Sequence, residues 1–442
     1  MTSIRELAGR TPVWRERHID LLRAVAIAAV VLGHWLIMVV EYDSRGRLTG
    51  SSALRDLAWA HPVTWLFQVM PVFFMVGGFA NAISLSHHRD RGGTAGQWLL
   101  ERSARLVRPT TALLVVLGAA ALAARLLGVA PDQVGRAVWL ATLPLWFLVV
   151  YLGVIALTPV MFRLHERAGL AVPVLLLLPV VAGDLLRLRY GDEAWAYGNF
   201  AFGWLAIHQL GFAWRDGRLP HRPGVAIPLL AGGLAGLVLL TVAGPYPVSM
   251  VTVPGAPTQN SSPPSLALVA LAIAQLGLAM LLAGPSQRWL QRPRPWLVVV
   301  AMNAVILTVF LWHMTAAVLG TVVLHLLDRL ATPDVDSAEW LLWQVPWIAA
   351  LAVVLAALVA LFGRVETRAA TSKVDRSPAL ALVAAGYAAT IAGLLWQAAA
   401  GSGDHGPFAM PTGALLLFLA GAAVLWLLRR AARSEKLTSL RA

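Results

Sequence analysis

Long runs of apolar residues, broken by short polar segments, fill this chain from end to end. About twelve of them reach or approach the ~20 residues that a helix needs to cross a bilayer core. Their limits are near 19–41, 62–85, 110–128, 144–162, 169–183, 196–214, 224–243, 264–284, 296–327, 340–363, 378–398 and 411–428. The fifth is short, and the ninth is long enough to tilt or to run past the interface. The pattern predicts an all-α fold, a polytopic transmembrane helical bundle. Between the second and third runs, segment 94–108 (TAGQWLLERSARLVR) sets apolar residues at helical spacing with arginines between them. That predicts a separate helix lying at the interface. Segment 244–263 carries almost no charge, and its prolines and glycines preclude a helix. A surface loop and a segment folded back over an outer cavity fit it equally well.

Composition supports the membrane reading. Of 442 residues, 58% are hydrophobic and only 13% charged, with a mean hydropathy of +0.71. A soluble chain of this length would need far more polar side chain to cover its domains. There is no cysteine, which excludes disulfides, thiolate metal sites and a cysteine nucleophile.

The net charge is +13 and the pI about 11.2. In a soluble protein this would suggest nucleic acid. With the N-terminus placed inside, however, 26 of the 35 Lys and Arg fall in inner segments and seven in outer loops. The positive-inside rule thus accounts for the charge, predicts an N-in, C-in topology and removes nucleic acid as a partner. The expected organisation is a cytoplasmic segment 1–18, a membrane core 19–363, a linker 364–377, a further helix pair 378–428 and a basic tail 429–442. The first segment lacks the small-residue cleavage pattern of a signal peptide.

Ionisable side chains inside spans are functional candidates, because lipid makes them costly. The first span has two. Arg23 sits near the inner end, and His34 is eleven residues on, about 16 Å higher along the same helix face. A neutral imidazole halfway up can act as a general base. A buried histidine bonding a neighbouring helix explains the spacing as well, with Arg23 as a snorkelling anchor. Arg102 and Arg105 share a helical face beside the membrane, and Arg108 continues it. Such a cluster can grip phosphates, and positive-inside anchoring predicts the same residues. Pro71 and Gly77-Gly78 predict a kinked, closely packed second span. His208 reads as structural, and Asp20 as the partner of an arginine. No Gly-x-Ser-x-Gly, Walker A or His-Glu-x-x-His motif is present, and no metal is expected.

Five stretches, in order, resemble the integral-membrane acyltransferase-3 family. They are the Arg-x10-His of the first span, Met70-Pro71-Val72-Phe73-Phe74-Met75-Val76-Gly77-Gly78-Phe79, and Arg102-x-x-Arg105. Pro144-Leu145-Trp146-Phe147-Leu148 with Tyr151 and Pro159, and Phe310-Leu311-Trp312-His313, complete the set. The details look most like an actinobacterial branch. The resemblance covers about 15–360 and implies a ten-helix core, making 378–428 a two-helix addition. It implies acyl transfer from a cytoplasmic acyl-CoA, acetyl-CoA first, to a hydroxyl of an envelope carbohydrate or glycolipid at the bacterial cytoplasmic membrane. Carried over by residue, His34 would be the catalytic base, and Arg23, Arg102, Arg105 and Arg108 would hold the donor. His313, Trp146, Tyr151, His61 and Asn303 are candidates to line the acceptor cavity. Two rival readings are a proton-coupled transporter or flippase of a glycolipid and a noncatalytic acyl-CoA-binding membrane protein. The sequence leaves open the acceptor, the acyl length, direct transfer against an acyl-enzyme, and oligomeric state.

Overall fold

The computed structural model describes residues 15–44, 46–369 and 374–432. Arg5, Arg10, Arg45, Lys373, Arg433, Lys436 and Arg441 of the charge pattern lie outside the described residues, as do most of segments 1–18 and 429–442. Part of the 364–377 linker does too. Among the described residues, eleven segments are long and apolar enough to cross a bilayer. The chain is a multi-pass, all-helical bundle, apart from one small hairpin of strands.

Helix α1 (Arg17–Ile37) runs into the hairpin β1 (Met38–Tyr42) and β2 (Leu48–Ser52). A short α2 (Thr64–Phe67) is separated from α3 (Met70–Asp90) by a break at Gln68 and Val69. Then come α4 (Ala95–Leu126), α5 (Pro131–Thr142), α6 (Leu145–Ala168), α7 (Ala171–Tyr190), α8 (Asn199–Arg215) and α9 (Pro223–Val238). After a long loop follow α10 (Leu266–Trp289), α11 (Pro293–Ala304), α12 (Ile306–Leu326) and α13 (Ala338–Ala369). The last pair is α14 (Leu380–Ala399) and α15 (Thr412–Ala431).

Three expectations are corrected. The separate interfacial helix at 94–108 does not exist, because α4 runs unbroken for 32 residues. Thr94 and Gln97 form a capping box that starts it once, at the polar end. Its buried stripe, Leu100, Ala104, Val107, Thr110, Leu114, Leu117 and Ala121, keeps helical spacing through Pro109. The long ninth run is two helices, α11 and α12, parted at Val305. The sixth run forms α8, whose 17 residues span only about 25 Å. By contrast, the short fifth run extends to the 20 residues of α7.

The chain divides into two compact units. The first takes residues up to Ile37, Ser52–Ser84 and Val160–Ile306. Its centre is the crossing of α3 and α8. A Cβ on Gly78 would fall within the radius of the His208 carbonyl oxygen, and one on Gly211 within that of the Met75 carbonyl oxygen. Phe74 stacks on Trp204 there, with centroids 4.3 Å apart. The backbone approach read from Gly77-Gly78 thus falls on Gly78.

The second unit takes Met38–Ser51, Leu85–Pro159 and the chain from Leu307 on. In it α14 and α15 pack on α4. The Tyr387 hydroxyl donates to the Leu99 carbonyl at 2.8 Å, Gln97 Nε2 to the Asp375 carbonyl at 3.1 Å, and Arg125 pairs with Asp404.

Replacing Gly211 by Ala should overpack the α3–α8 crossing at a cost of about 1–3 kcal/mol. Thermal melting in detergent should show a clear drop for Gly211→Ala and none for Gly224→Ala, where a Cβ meets open space.

Candidate functional site

In the first unit, the start of α1 is held by several polar contacts. Asp20 is buried and accepts from Arg15 at 2.6 and 3.1 Å, while Arg23 lies 3.8 Å away on the same helix. Arg17 donates to the Leu290 carbonyl at 2.6 Å and lies over the Trp296 ring. His18 Nε2 donates to the Ala279 carbonyl at 2.9 Å, and Ser286 Oγ lies 2.5 Å from its Nδ1. The arginine that pairs closely with Asp20 is Arg15, and Arg23 is half-buried beside the same carboxylate.

Asn303 belongs to this end. Its Nδ2 donates to the Asp20 and Val299 carbonyls, both at 2.9 Å, and its Oδ1 is buried with no hydrogen-bond partner among the described residues. The break at Val305 lies between Asn303 and the helix that carries His313.

His34 lies in the last turn of α1, three residues before the helix ends, and not halfway up as the sequence suggested. The span is 17–37 where 19–41 was expected, because the chain turns into β1 at Met38. His34 is half-buried. The neighbouring Gly33 faces Phe67, with only 3.3 Å between a Cβ position and its ring, so this turn lies against the end of α2.

The helix break follows at once, and polar side chains repair it. Gln68 Nε2 donates to the Met250 carbonyl at 2.7 Å, and Gln275 Nε2 to the Gln68 carbonyl at 2.8 Å. Met250 N donates to Thr64 Oγ1, and Trp65 Nε1 to the Val248 carbonyl. The loop after α9 therefore folds back onto α2, one of the two arrangements its sequence allowed. Gln275 Oε1 stays buried with no hydrogen-bond partner among the described residues. His61 sits just before α2, its Nε2 donating to the Leu54 carbonyl at 2.9 Å. His208, fully buried, lies 3.2 Å from Asn81 Nδ2.

Asp184 anchors the same loop. Its carboxylate accepts from Tyr246 Oη at 2.8 Å, Asn199 Nδ2 at 3.0 Å and Leu266 N at 2.8 Å, with Arg187 Nε at 3.3 Å. Burial, then the neighbouring Asp184 charge, raises the Tyr246 phenol above its ordinary pKa and keeps it a donor.

In the second unit, Arg102 lies over the Trp98 ring at 5.3 Å, Arg105 is exposed and Arg108 is half-buried. Three aromatic candidates do come together. Phe147 stacks on Tyr151 at 5.3 Å, meets Phe310 edge-on at 5.1 Å and touches Trp146 at 6.5 Å. His313, fully buried, donates from Nδ1 to the Phe310 carbonyl at 2.5 Å, which leaves Nε2 as the basic nitrogen of the neutral ring. Its helix α12 is capped by Glu366 of α13. The carboxylate accepts from Leu307 N at 3.1 Å, and from Thr308 N and Oγ1 at 2.7 Å each.

A family model described as an acyltransferase domain matches residues 16–365. The chain belongs to the acyltransferase-3 family. No curated protein and no solved structure matches it. The acyltransferase-3 match takes in His34, Arg23 and the arginines of α4, and it ends before α14 and α15.

Sequence reasoning gave no role to Gln68, Asp184, Gln275 or Glu366. A glutamine or carboxylate inside an apolar run was the available signal. Among the described residues, no three His, Asp or Glu are grouped to hold a metal ion. Tyr246→Phe removes one donor from Asp184, at a cost of about 1–2 kcal/mol. Limited proteolysis should cut the 244–265 loop faster in this variant than in the parent.

Proposed function

We propose that this membrane acyltransferase moves an acyl group, acetyl in the first instance, from a cytoplasmic acyl-CoA to a hydroxyl of an envelope carbohydrate or glycolipid. The setting proposed is the bacterial cytoplasmic membrane. One observation carries the reading: the family match includes a half-buried imidazole at one end of a span whose other end holds Arg23.

In this reading His34 is the base. The acceptor oxygen bonds to the thioester carbonyl carbon while its proton passes to His34. The carbon–sulfur bond then breaks, and coenzyme A leaves as the thiol with that proton. Arg23, Arg102, Arg105 and Arg108 hold the donor's phosphates by charge-assisted hydrogen bonds. The polar atoms at the Gln68 break give an acceptor hydroxyl partners close to the last turn of α1. Trp146, Tyr151 and His313 supply an aromatic wall of the kind that sugar rings pack on.

The two interrupted spans, at Gln68 and Val305, are the observation that favours the transporter reading. Movement of a labelled glycolipid without acyl-CoA would support it.

The deciding experiment uses the full chain in nanodiscs, following acetyl-CoA binding and slow thioester turnover. His34→Ala should lose about 100-fold or more of turnover and keep donor binding. Arg102→Ala should weaken binding. Unchanged turnover in His34→Ala would remove the base assignment.

A further inference from the structure

In the second unit, three tryptophans near the start of α13 turn inward. Trp340, Trp343 and Trp347 follow one another at helical spacing, and Gln344 stands on the same face. Trp340 and Trp347 are buried and Trp343 is half-buried, while Leu341, Leu342 and Val345 on the other side are exposed. With Met38 of β1 and Pro333 of the loop before α13, the four line a cleft of about 20 Å³. That is above the ~10–15 Å³ that one water-sized group needs. With the N-terminus inside, as the charge pattern predicts, this end of α13 faces out.

Anchoring at the membrane interface is the ordinary explanation for tryptophans at the end of a span. Such rings face the lipid, and here Leu341, Leu342 and Val345 hold that side instead. Gln344 is the observation that points to a ligand. It is 8% exposed, and its Oε1 is buried with no hydrogen-bond partner among the described residues. An acceptor left in that state is costly, and a hydroxyl entering the cleft satisfies it. A hydrocarbon tail or a quaternary ammonium brings no donor. The connection from α12 to α13 carries Asp328, Asp334 and Asp336 against Arg329, and Glu339 opens α13, which disfavours an anionic headgroup. A neutral sugar meets each condition. Its hydroxyls donate, and its C–H face packs on an indole ring, whose own face is negative.

We infer that this cleft is a carbohydrate-binding subsite. Gln344 Oε1 accepts from a ring hydroxyl that fills the cleft, and the half-buried Trp343 packs on the apolar face of the sugar. The inference rests on the acceptor half of the proposed function, and it adds a holding site that does not include His34.

The test uses the full chain in nanodiscs of phosphatidylglycerol, without acyl-CoA. Four neutral pentasaccharides, of glucose, galactose, mannose and arabinose, are titrated by saturation-transfer NMR, with choline as a cationic control. At least one pentasaccharide should bind the parent, and bind Gln344→Leu and Trp343→Ala about three- to tenfold more weakly. Slow thioester turnover, measured separately, should stay at the parent's level in both. If Trp343→Ala does not fold by its melt, Gln344→Leu, which puts an apolar group among apolar ones, carries the test. Binding of none of the four, equal binding by the folded variants, or choline as the only ligand would overturn the subsite. Failure of the acyl-transfer reading looks different: turnover is unchanged in His34→Ala while sugar binding still depends on Gln344.

Discussion

In hydrocarbon, a backbone amide or carbonyl has only the protein to bond to. That constraint governs where this bundle can bend. The break between α2 and α3 is closed by Gln68, Gln275 and Thr64. The break before α12 is closed by Glu366, which takes three donors at the helix start. The start of α10 is met by Asp184, which also collects Tyr246 and Asn199. Each interruption thus pins a second element. His34 stands beside the first of these junctions, and His313 rides on the helix that begins at the second.

Polar groups held this way need a stiff frame, or the hydrogen bonds that justify their burial are lost. Small residues supply it by letting helices touch at the backbone. Gly78 and Gly211 do so between α3 and α8, and Gly233 and Gly277 between α9 and α10. Gly386, Gly393 and Gly421 do so between α14 and α15. A candidate site built on such crossings is positioned by whole helices and not by loops.

Much of this was legible along the chain. Helix type, the main spans, the Gly78 approach and the pairing of Asp20 with an arginine follow from hydropathy, charge and spacing, because these act locally. What was not legible depended on partners distant in sequence. The unbroken α4 follows from a cap at Thr94 that hydropathy does not register. The split at Val305 is answered by a carboxylate 61 residues on, in α13. The end of the first helix at Ile37, which leaves His34 in its last turn, has no polar residue to announce it.

The C-terminal pair shows that a family's boundary and a folding boundary are different things here. The recognisable stretch ends at residue 365. Yet Gln97, the Leu99 carbonyl and Arg125 of α4 all find partners after it, at Asp375, Tyr387 and Asp404. A chain trimmed to the part that resembles its relatives would lack the partners of those three groups of α4. Its most arginine-rich helix would lose one wall. Helix α4 and this pair therefore depend on each other across the boundary of the family match.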